Sequence, residues 1–316
     1  METNMTLSET TEKKVDTRRV LIFIAFAYGI AWLTGLAVYL TGGLANSQEL
    51  IPGTGITYAA LLLPVVYMGA PAIAHVLTRL VTQEGWKNVG LRPNFRKGWP
   101  YWLMAWFGPV VLTLVGVAVY FLIFPQYYDP EMGMVKALLG QTEAATGTPV
   151  PITPWMLVGI QLLQAALIAP LVNGLFTFGE EFGWRAYLQP KLMALGPRKA
   201  MLAMGLIWGA WHWPLTAQGH NYGLGYAGFP WLGMVSMVWM TFGLGLFLGW
   251  MTFRAKSVWP AVIGHAAFNG IAAIGGLFLR GEPNTLLGPT VAGWIGGIGF
   301  AVVGLIIFFS PKSFAE

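Results

Sequence analysis

Residues 61–74 read LLLPVVYMGAPAIA, a run without a charged side chain. Residues 304–309, GLIIFF, are equally apolar. A transmembrane β-strand would alternate apolar and polar residues, whereas these runs are apolar on every side. They predict membrane-spanning helices, and we expect an all-α, polytopic membrane helical bundle.

The overall composition supports the same fold class. The chain has 316 residues, of which 56% are hydrophobic and only 10% are charged, whereas soluble domains are about a quarter charged. A soluble globular protein is therefore excluded. The net charge is +5, but the basic residues are spread over short connections, so we expect no nucleic-acid partner. The absence of cysteine excludes disulfides, thiolate metal sites and cysteine nucleophiles.

Apolar runs bounded by turn signals predict eight transmembrane helices. Their approximate ranges are 20–41, 56–80, 100–124, 155–179, 200–217, 230–251, 257–279 and 289–310. Residues 1–17 are expected to form a disordered cytoplasmic tail, and residues 18–316 a single transmembrane domain.

The basic residues predict the orientation of this domain. With eight crossings, every Lys and Arg except Lys136 and Arg280 falls on one side of the membrane. Because basic residues mark the cytoplasmic side of membrane proteins, we expect both termini to lie in the cytoplasm.

Two adjacent acids occur at membrane depth, in LVNGLFTFGEEFGWRAYLQPKL at residues 171–192. An ionisable group in the hydrocarbon costs at least about 2.5 kcal/mol, so Glu180 and Glu181 require an explanation. Arg185 is four residues after Glu181, and this spacing predicts an ion pair on one helix face. That pair can be structural or can take part in chemistry, and we assign it a supporting role. Glu180 points about 100° away and is left free for function.

Histidines in two later spans are candidates to join Glu180. His212 lies in GLIWGAWHWPL and His265 in VIGHAAFNG, where Asn269 follows on the same helix face. At 1.5 Å per residue, Glu180, His212 and His265 lie roughly 16, 18 and 12 Å from the predicted cytoplasmic ends of their helices. The shared depth predicts one polar cavity, which we expect to open to the cytoplasm.

The other histidines and the tryptophans are predicted to be structural. His75 and His220 have no comparable partners in the sequence. Tryptophans are more often packing or interface residues in membrane proteins. The ones closest to the candidate histidines are Trp208, Trp211, Trp213 and Trp259.

The three motifs together resemble the CPBP family, which includes the type II CAAX prenyl endopeptidases and bacteriocin-processing, Abi-like membrane proteins. The motifs are E-E-x-x-x-R at Glu180, an intramembrane histidine followed by W-P at His212, and H-x-x-x-N at His265. The similarity covers about residues 155–280, and the run GEEFGWRAYL looks like the bacterial branch. Where the family usually has phenylalanine four residues before the second-motif histidine, this chain has Trp208.

The resemblance implies an eight-span core with the site facing the cytoplasm, and an intramembrane protease located in a bacterial cell membrane. Its catalytic residues would be Glu180, His212, His265 and Asn269. The substrate would be a peptide bond near the membrane surface, with release of a C-terminal tripeptide from prenylated CAAX-type proteins as one option. The expected partners are the lipid bilayer and a protein or peptide substrate, prenylated or not.

Other intramembrane proteases fit this sequence poorly. The H-E-x-x-H motif of metalloproteases is absent, and the aspartates, Asp16 and Asp129, both lie outside the predicted spans. Ser236 is the lone serine deep in a span, without the G-x-S-x-G setting of a nucleophile. A mechanism based on glutamate and histidine remains.

In that mechanism a water held between Glu180 and His212 would lose a proton to this pair. His265 and Asn269 would donate hydrogen bonds to the developing oxyanion. We expect no cofactor. Zinc held by Glu180, His212 and His265 is the second choice, because two histidines and a glutamate form a known catalytic ligand set.

Two functions other than proteolysis stay open. The same polar cluster can serve as a relay in a membrane transporter, although we find no inverted repeat of the kind transporters carry. The chain can also be a non-catalytic protein of the bacteriocin-immunity type that keeps the same fold.

Overall fold

The computed structural model of the chain describes residues 14–315. Most of the predicted tail, residues 1–13, lies outside this range. The first helix begins at Thr17, where the Asp16 side chain accepts a hydrogen bond from the backbone nitrogen of Arg19 and caps the helix. Helices and turns make up the described residues, which contain no β-strand.

The helices are numbered here in chain order. They are α1 (Thr17–Leu40), α2 (Tyr58–Val81), α3 (Phe95–Ile123), α4 (Gly133–Thr146), α5 (Pro154–Val172), α6 (Gly174–Gly183), α7 (Gln189–Leu192), α8 (Pro197–Trp211), α9 (Trp213–Thr216), α10 (Trp231–Ala255), α11 (Trp259–Ile271) and α12 (Ile298–Phe309). A π-helical segment, Trp184–Leu188, joins α6 to α7. A 3₁₀ turn, Ile274–Phe278, extends α11.

Six helices among residues 14–315 are long and apolar enough to cross a membrane, and the chain is an integral membrane protein. They are α1, α2, α3, α5, α10 and α11 with its 3₁₀ extension. The predicted fifth and eighth spans are shorter helices: His212 interrupts the fifth, and the eighth is helical only from Ile298. Before Ile298 the chain forms turns, in which the Trp294 nitrogen donates to the Leu286 carbonyl at 2.8 Å and the Gly293 nitrogen to the Thr290 carbonyl at 3.0 Å. The count of eight crossings stays a prediction.

Close packing of α6 against α2 places the two glutamates inside the bundle. Gly179 and Gly183 flank them, four residues apart, in the arrangement that lets membrane helices approach closely. A Cβ at Gly183 would lie 2.4 Å from Pro71, and one at Gly179 would lie 2.7 Å from the Met68 carbonyl oxygen. Only glycine fits at these contacts, so α6 carries its acids directly into the main apolar core.

One end of the bundle, here called the basic face, is formed by the connections 82–94, 193–196 and 256–258 together with both described chain ends. Contacts join these pieces: Arg19 Nε lies 3.2 Å from Thr82 Oγ1, and Lys191 Nζ lies 2.7 Å from Glu84 Oε1. Arg254 Nη1 donates to the Ala315 carbonyl at 2.8 Å. The two described ends of the chain therefore lie on the same side of the bundle.

The other end, here called the opposite face, is formed by the connections 41–57, 124–153, 217–230 and 279–297. Arg280 Nε donates to the Gln126 carbonyl at 2.8 Å, and Tyr222 donates its hydroxyl to the Ala292 carbonyl at 2.9 Å. Lys136 lies on α4 within one of these connections. The predicted separation of Lys136 and Arg280 from the other described basic residues agrees with this arrangement.

Candidate active site

Glu180 is buried, with 3% of its surface exposed, and is bound by a residue of α8. The indole Nε1 of Trp208 donates a hydrogen bond of 2.9 Å to Glu180 Oε2. Trp208 is itself only 1% exposed. The residue predicted to serve in packing therefore holds the candidate catalytic carboxylate in place.

Glu181 makes the predicted pair with Arg185 and a second bond that the sequence does not reveal. Arg185 Nη1 donates a hydrogen bond to Glu181 Oε1 at 3.2 Å. Arg185 Nε lies 3.1 Å from Glu181 Oε2, which is an ion-pair distance, but the two atoms are not aligned for a hydrogen bond. His265 Nδ1 lies 2.8 Å from Glu181 Oε1. The Arg185 guanidinium carbon also lies 4.1 Å from the centre of the Trp208 ring, in a cation–π contact. Glu181 thus connects α6 to α11.

The hydrogen bonds of the two candidate histidines define which nitrogen carries a proton. His212 Nδ1 lies 2.8 Å from the Trp208 carbonyl oxygen. His265 Nδ1 lies at the same distance, 2.8 Å, from the Glu181 carboxylate. A carbonyl or carboxylate oxygen only accepts, so Nδ1 is the donor in both rings. The neutral His212 ring then carries a lone pair on Nε2 that can accept a proton from water.

These groups meet at the bottom of a cavity of about 460 Å³. Glu180, Trp208, His212, His265 and Asn269 all line it. Glu180, His212 and His265 are therefore brought together in one place, as their depths along the helices predicted, and Asn269 lines the same cavity. Arg185 does not line the cavity, which agrees with a supporting role.

The part of the chain that carries this site has relatives. Residues 155–271 match the family described as "Type II CAAX prenyl endopeptidase Rce1-like". The Rce1-like segment runs from α5 to the end of α11 and contains all six residues assigned above to the site. The resemblance to the CPBP family is thus confirmed over this segment. No curated protein matches the chain.

The cavity of the Rce1-like segment opens away from the basic face. Its rim includes Asn221 and Ala273, which are exposed and lie beside the connections of the opposite face. On the other side the site is closed by Trp184, Arg185 and Leu188, none more than 1% exposed. That the cavity opens to the cytoplasm stays a prediction. Depth along a helix does not reveal which side of a site is filled by neighbouring side chains.

His220 was predicted to be structural, and the structure places it in the cavity. Its ring is parallel to that of His212, with ring centres 6.5 Å apart. Burial lowers the pKa of His220 to about 4, so the ring is neutral near pH 7. His220 lies in the connection after α9. The path of this connection determines how close His220 comes to His212. Sequence spacing gives no signal for such a contact.

His75 does have the structural surroundings that the sequence predicted. Its Nδ1 donates to the Phe182 carbonyl oxygen at 2.8 Å, and its Nε2 accepts from Arg79 Nε at 2.6 Å. The ring is fully buried and lies outside the cavity lining. His75 therefore attaches α2 to the helix that carries the two glutamates.

The zinc alternative requires Glu180, His212 and His265 to converge on one ion. Within residues 14–315, no three side chains of His, Cys, Asp or Glu are close enough together to hold a metal ion. Trp208 binds Glu180 and Glu181 binds His265, which accounts for two of the three groups that zinc would need.

Proposed function

We propose that the chain is an intramembrane endopeptidase that hydrolyses a peptide bond with a water activated by Glu180 and His212. The observation that supports this most strongly is the double role of Trp208. Its indole nitrogen binds the Glu180 carboxylate and its carbonyl oxygen binds His212 Nδ1. One residue thus orients both groups that would take the proton from water.

In the proposed reaction the water oxygen attacks the peptide carbonyl carbon. The water gives one proton to the Glu180 and His212 pair as it attacks. The C–N bond of the tetrahedral intermediate then breaks, the pair delivers this proton to the leaving amine, and the other product is a carboxylate, so the pair acts first as base and then as acid. The developing oxyanion accepts hydrogen bonds from His265 Nε2 and from the Asn269 amide. Asn269 is exposed to the cavity and lies on the same helix as His265.

The proposed donation to the oxyanion places a requirement on His265. For Nε2 to donate while Nδ1 donates to Glu181, both ring nitrogens must carry a proton. Arg185 forms an ion pair with the Glu181 carboxylate, which limits the cost of burying that charge.

We place the protein in a bacterial cell membrane with both termini in the cytoplasm. The run GEEFGWRAYL supports the bacterial assignment, and the concentration of basic residues on one face supports the orientation. The transporter alternative gains no support from the cavity, which is closed on the side of the basic face by Trp184 and Leu188.

The experiment that tests this function incubates the purified protein with unmodified and farnesylated peptides and reads the products by mass spectrometry. We expect new fragments with the wild type and none with Glu180→Gln. A difference between the two peptide sets decides whether a prenyl group is required. We propose that no metal takes part, so 1,10-phenanthroline should leave the rate unchanged. A protein that cleaves neither set, yet carries a transport current that Glu180→Gln removes, would contradict the protease assignment.

A further inference from the structure

Among residues 14–315, His220 is the one histidine whose ring makes no hydrogen bond with another group of the protein. His75 uses both ring nitrogens, and His212 and His265 each use Nδ1. His220 lines the cavity and is half-buried. A polar group that is withdrawn from water without a partner costs free energy. The position of this ring in the cavity therefore requires an explanation.

The connection after α9 holds His220 in place. Its backbone nitrogen donates to the Leu215 carbonyl oxygen at 3.0 Å, and Gly219, with φ +94°, makes the tight turn before it. Two residues later, the Tyr222 hydroxyl donates to the Ala292 carbonyl at 2.9 Å. The backbone that carries the ring is thus fixed on both sides, which lowers the entropic cost of binding a ligand there.

The ring of His220 lies beside that of His212. The two planes are parallel within 2°, and the ring centres are 6.5 Å apart, too far for a hydrogen bond between ring nitrogens. The His265 ring is in contact with Trp208, with ring centres 5.3 Å apart. In the proposed reaction His212 helps to protonate the leaving amine, whereas His265 binds the oxyanion. His220 therefore lies on the leaving-group side of the scissile bond.

The walls of the cavity explain why a polar ring is useful at this place. Met240, Leu244 and Phe268 are among the apolar lining residues. Peptide groups of a substrate lose their water between such walls, and each buried N–H and C=O then needs a partner. Burial lowers the pKa of His220 to about 4, so its imidazole is neutral near pH 7. A neutral imidazole has one donor and one acceptor, which match an uncharged peptide group.

We propose that His220 binds the substrate backbone on the leaving-group side, through a hydrogen bond between its imidazole and the peptide group that follows the scissile bond. This inference rests on the proposed protease function and adds a substrate-binding residue to that site. Glu180 and His212 carry the proton in the reaction. The loss of His220 should consequently weaken substrate binding and leave the chemical step unchanged.

The first experiment measures kcat and KM with a quenched fluorescent peptide of neutral, apolar sequence, in the unmodified or farnesylated form that the wild type cleaves. His220→Phe keeps a flat ring beside His212 and removes both nitrogens. We expect its KM to rise about tenfold, as for the loss of one hydrogen bond, with kcat nearly unchanged. Gly225→Ala is the control and should match the wild type, because it lies in the same connection and its Cβ would meet nothing within 4 Å.

Two further variants distinguish hydrogen bonding from packing. His220→Asn and His220→Gln each supply an amide with a donor and an acceptor but no ring. We expect at least one of them to bind the peptide better than His220→Phe does. If His220→Phe has the KM of the wild type, the inference is overturned. A fall in kcat at unchanged KM would make His220 a proton-transfer group and would also overturn it.

The second experiment changes the substrate, so it does not depend on the folding of a variant. The peptide bond after the scissile bond is replaced by an ester, which lacks the N–H donor and has a weaker carbonyl acceptor. We expect the wild type to bind this ester about tenfold more weakly than the amide. His220→Phe should not distinguish the two substrates, because the bond is already lost. Equal binding of ester and amide by the wild type overturns the inference, and so does an additional tenfold loss in His220→Phe.

The outcomes separate the two proposals. Intact cleavage by both the wild type and His220→Phe, with equal KM values, overturns the role of His220 and leaves the protease function standing. No cleavage of the unmodified or the farnesylated peptide by the wild type overturns the protease function itself.

Discussion

Glu181 Oε1 lies 2.8 Å from His265 Nδ1, although the two residues are 84 positions apart in the sequence. The bond holds the His265 ring at the wall of the cavity, which His265 lines. The same carboxylate is paired with Arg185 on its own helix. Glu181 therefore supports the site by orienting a histidine as well as by balancing charge, and its neighbour Glu180 is left for the reaction.

We expect Arg185→Ala to lower the free energy of unfolding by on the order of 3 kcal/mol, because it removes one partner of a buried ion pair. Glu180→Gln should cost less, since its carboxylate is not paired with Arg185. Thermal unfolding in detergent compares the two variants. Arg198→Ala is the control, because Arg198 is exposed and donates to the Phe308 carbonyl. Equal losses for Arg185→Ala and Glu180→Gln would contradict the separation into a supporting and a catalytic carboxylate.

Trp208→Phe should reduce the rate of peptide cleavage about tenfold or more, because hydrogen bonds to charged groups contribute about 1.5–3 kcal/mol. The substitution keeps a ring in the core and removes the indole donor to Glu180. Trp211→Phe is the matched control: Trp211 is equally buried, but its indole donates to the Ala27 carbonyl. Equal rate losses for the two variants would mean that Trp208 acts only through packing.

Gly183→Ala should destabilise the fold by about 1–3 kcal/mol, the usual effect of overpacking a core. The added Cβ would lie 2.4 Å from Pro71 and push α6 away from α2. Gly159→Ala is the control, since a Cβ at that helical position meets nothing within 4 Å. Unfolding temperatures in detergent check the difference. A stable Gly183→Ala variant with normal activity would contradict the close contact of these helices.

The protonation of Glu84, which lies on the basic face, should make the stability of the protein depend on pH. Burial alone would raise the pKa of Glu84, but hydrogen bonds from Lys191 and Tyr187 and the charges of Lys191 and Arg79 outweigh it, so the pKa lies below its ordinary value. Because its pKa is lower in the folded state, ionised Glu84 stabilises the fold. This contribution is fully present above the ordinary pKa of a glutamate and is lost as the pH falls through the lowered, folded-state pKa. The unfolding temperature should therefore fall below about pH 4, and the fall should be smaller in Glu84→Gln. Parallel curves for both proteins would contradict the assignment.

The sequence predicts those parts of the fold that depend on local pattern. Long apolar runs reveal the spanning helices, and the four-residue spacing reveals the pair of Glu181 and Arg185. The prediction is weakest where the chain departs from straight helix, at the π-helical segment after Gly183 and at the glycine-rich turns before Ile298. Tight backbone contacts determine these features, and a single sequence does not display its contacts.

Within the site, depth along the helices predicted the meeting of Glu180, His212 and His265. The roles of Trp208 and His220 were not predicted. Trp208 is an apolar residue by type, and only the fold shows that its indole nitrogen reaches Glu180. His220 reaches His212 through a connection whose path has no periodic signal.

The rate of peptide cleavage by Glu180→Gln, purified and shown to be folded, tests the central claim most directly. Glu131→Gln is the control, because Glu131 is an exposed glutamate in a connection of the opposite face. General-base catalysis contributes about 10²-fold or more to the rate, so we predict a loss of at least that size in Glu180→Gln and none in Glu131→Gln. Cleavage by folded Glu180→Gln at the wild-type rate would contradict the account.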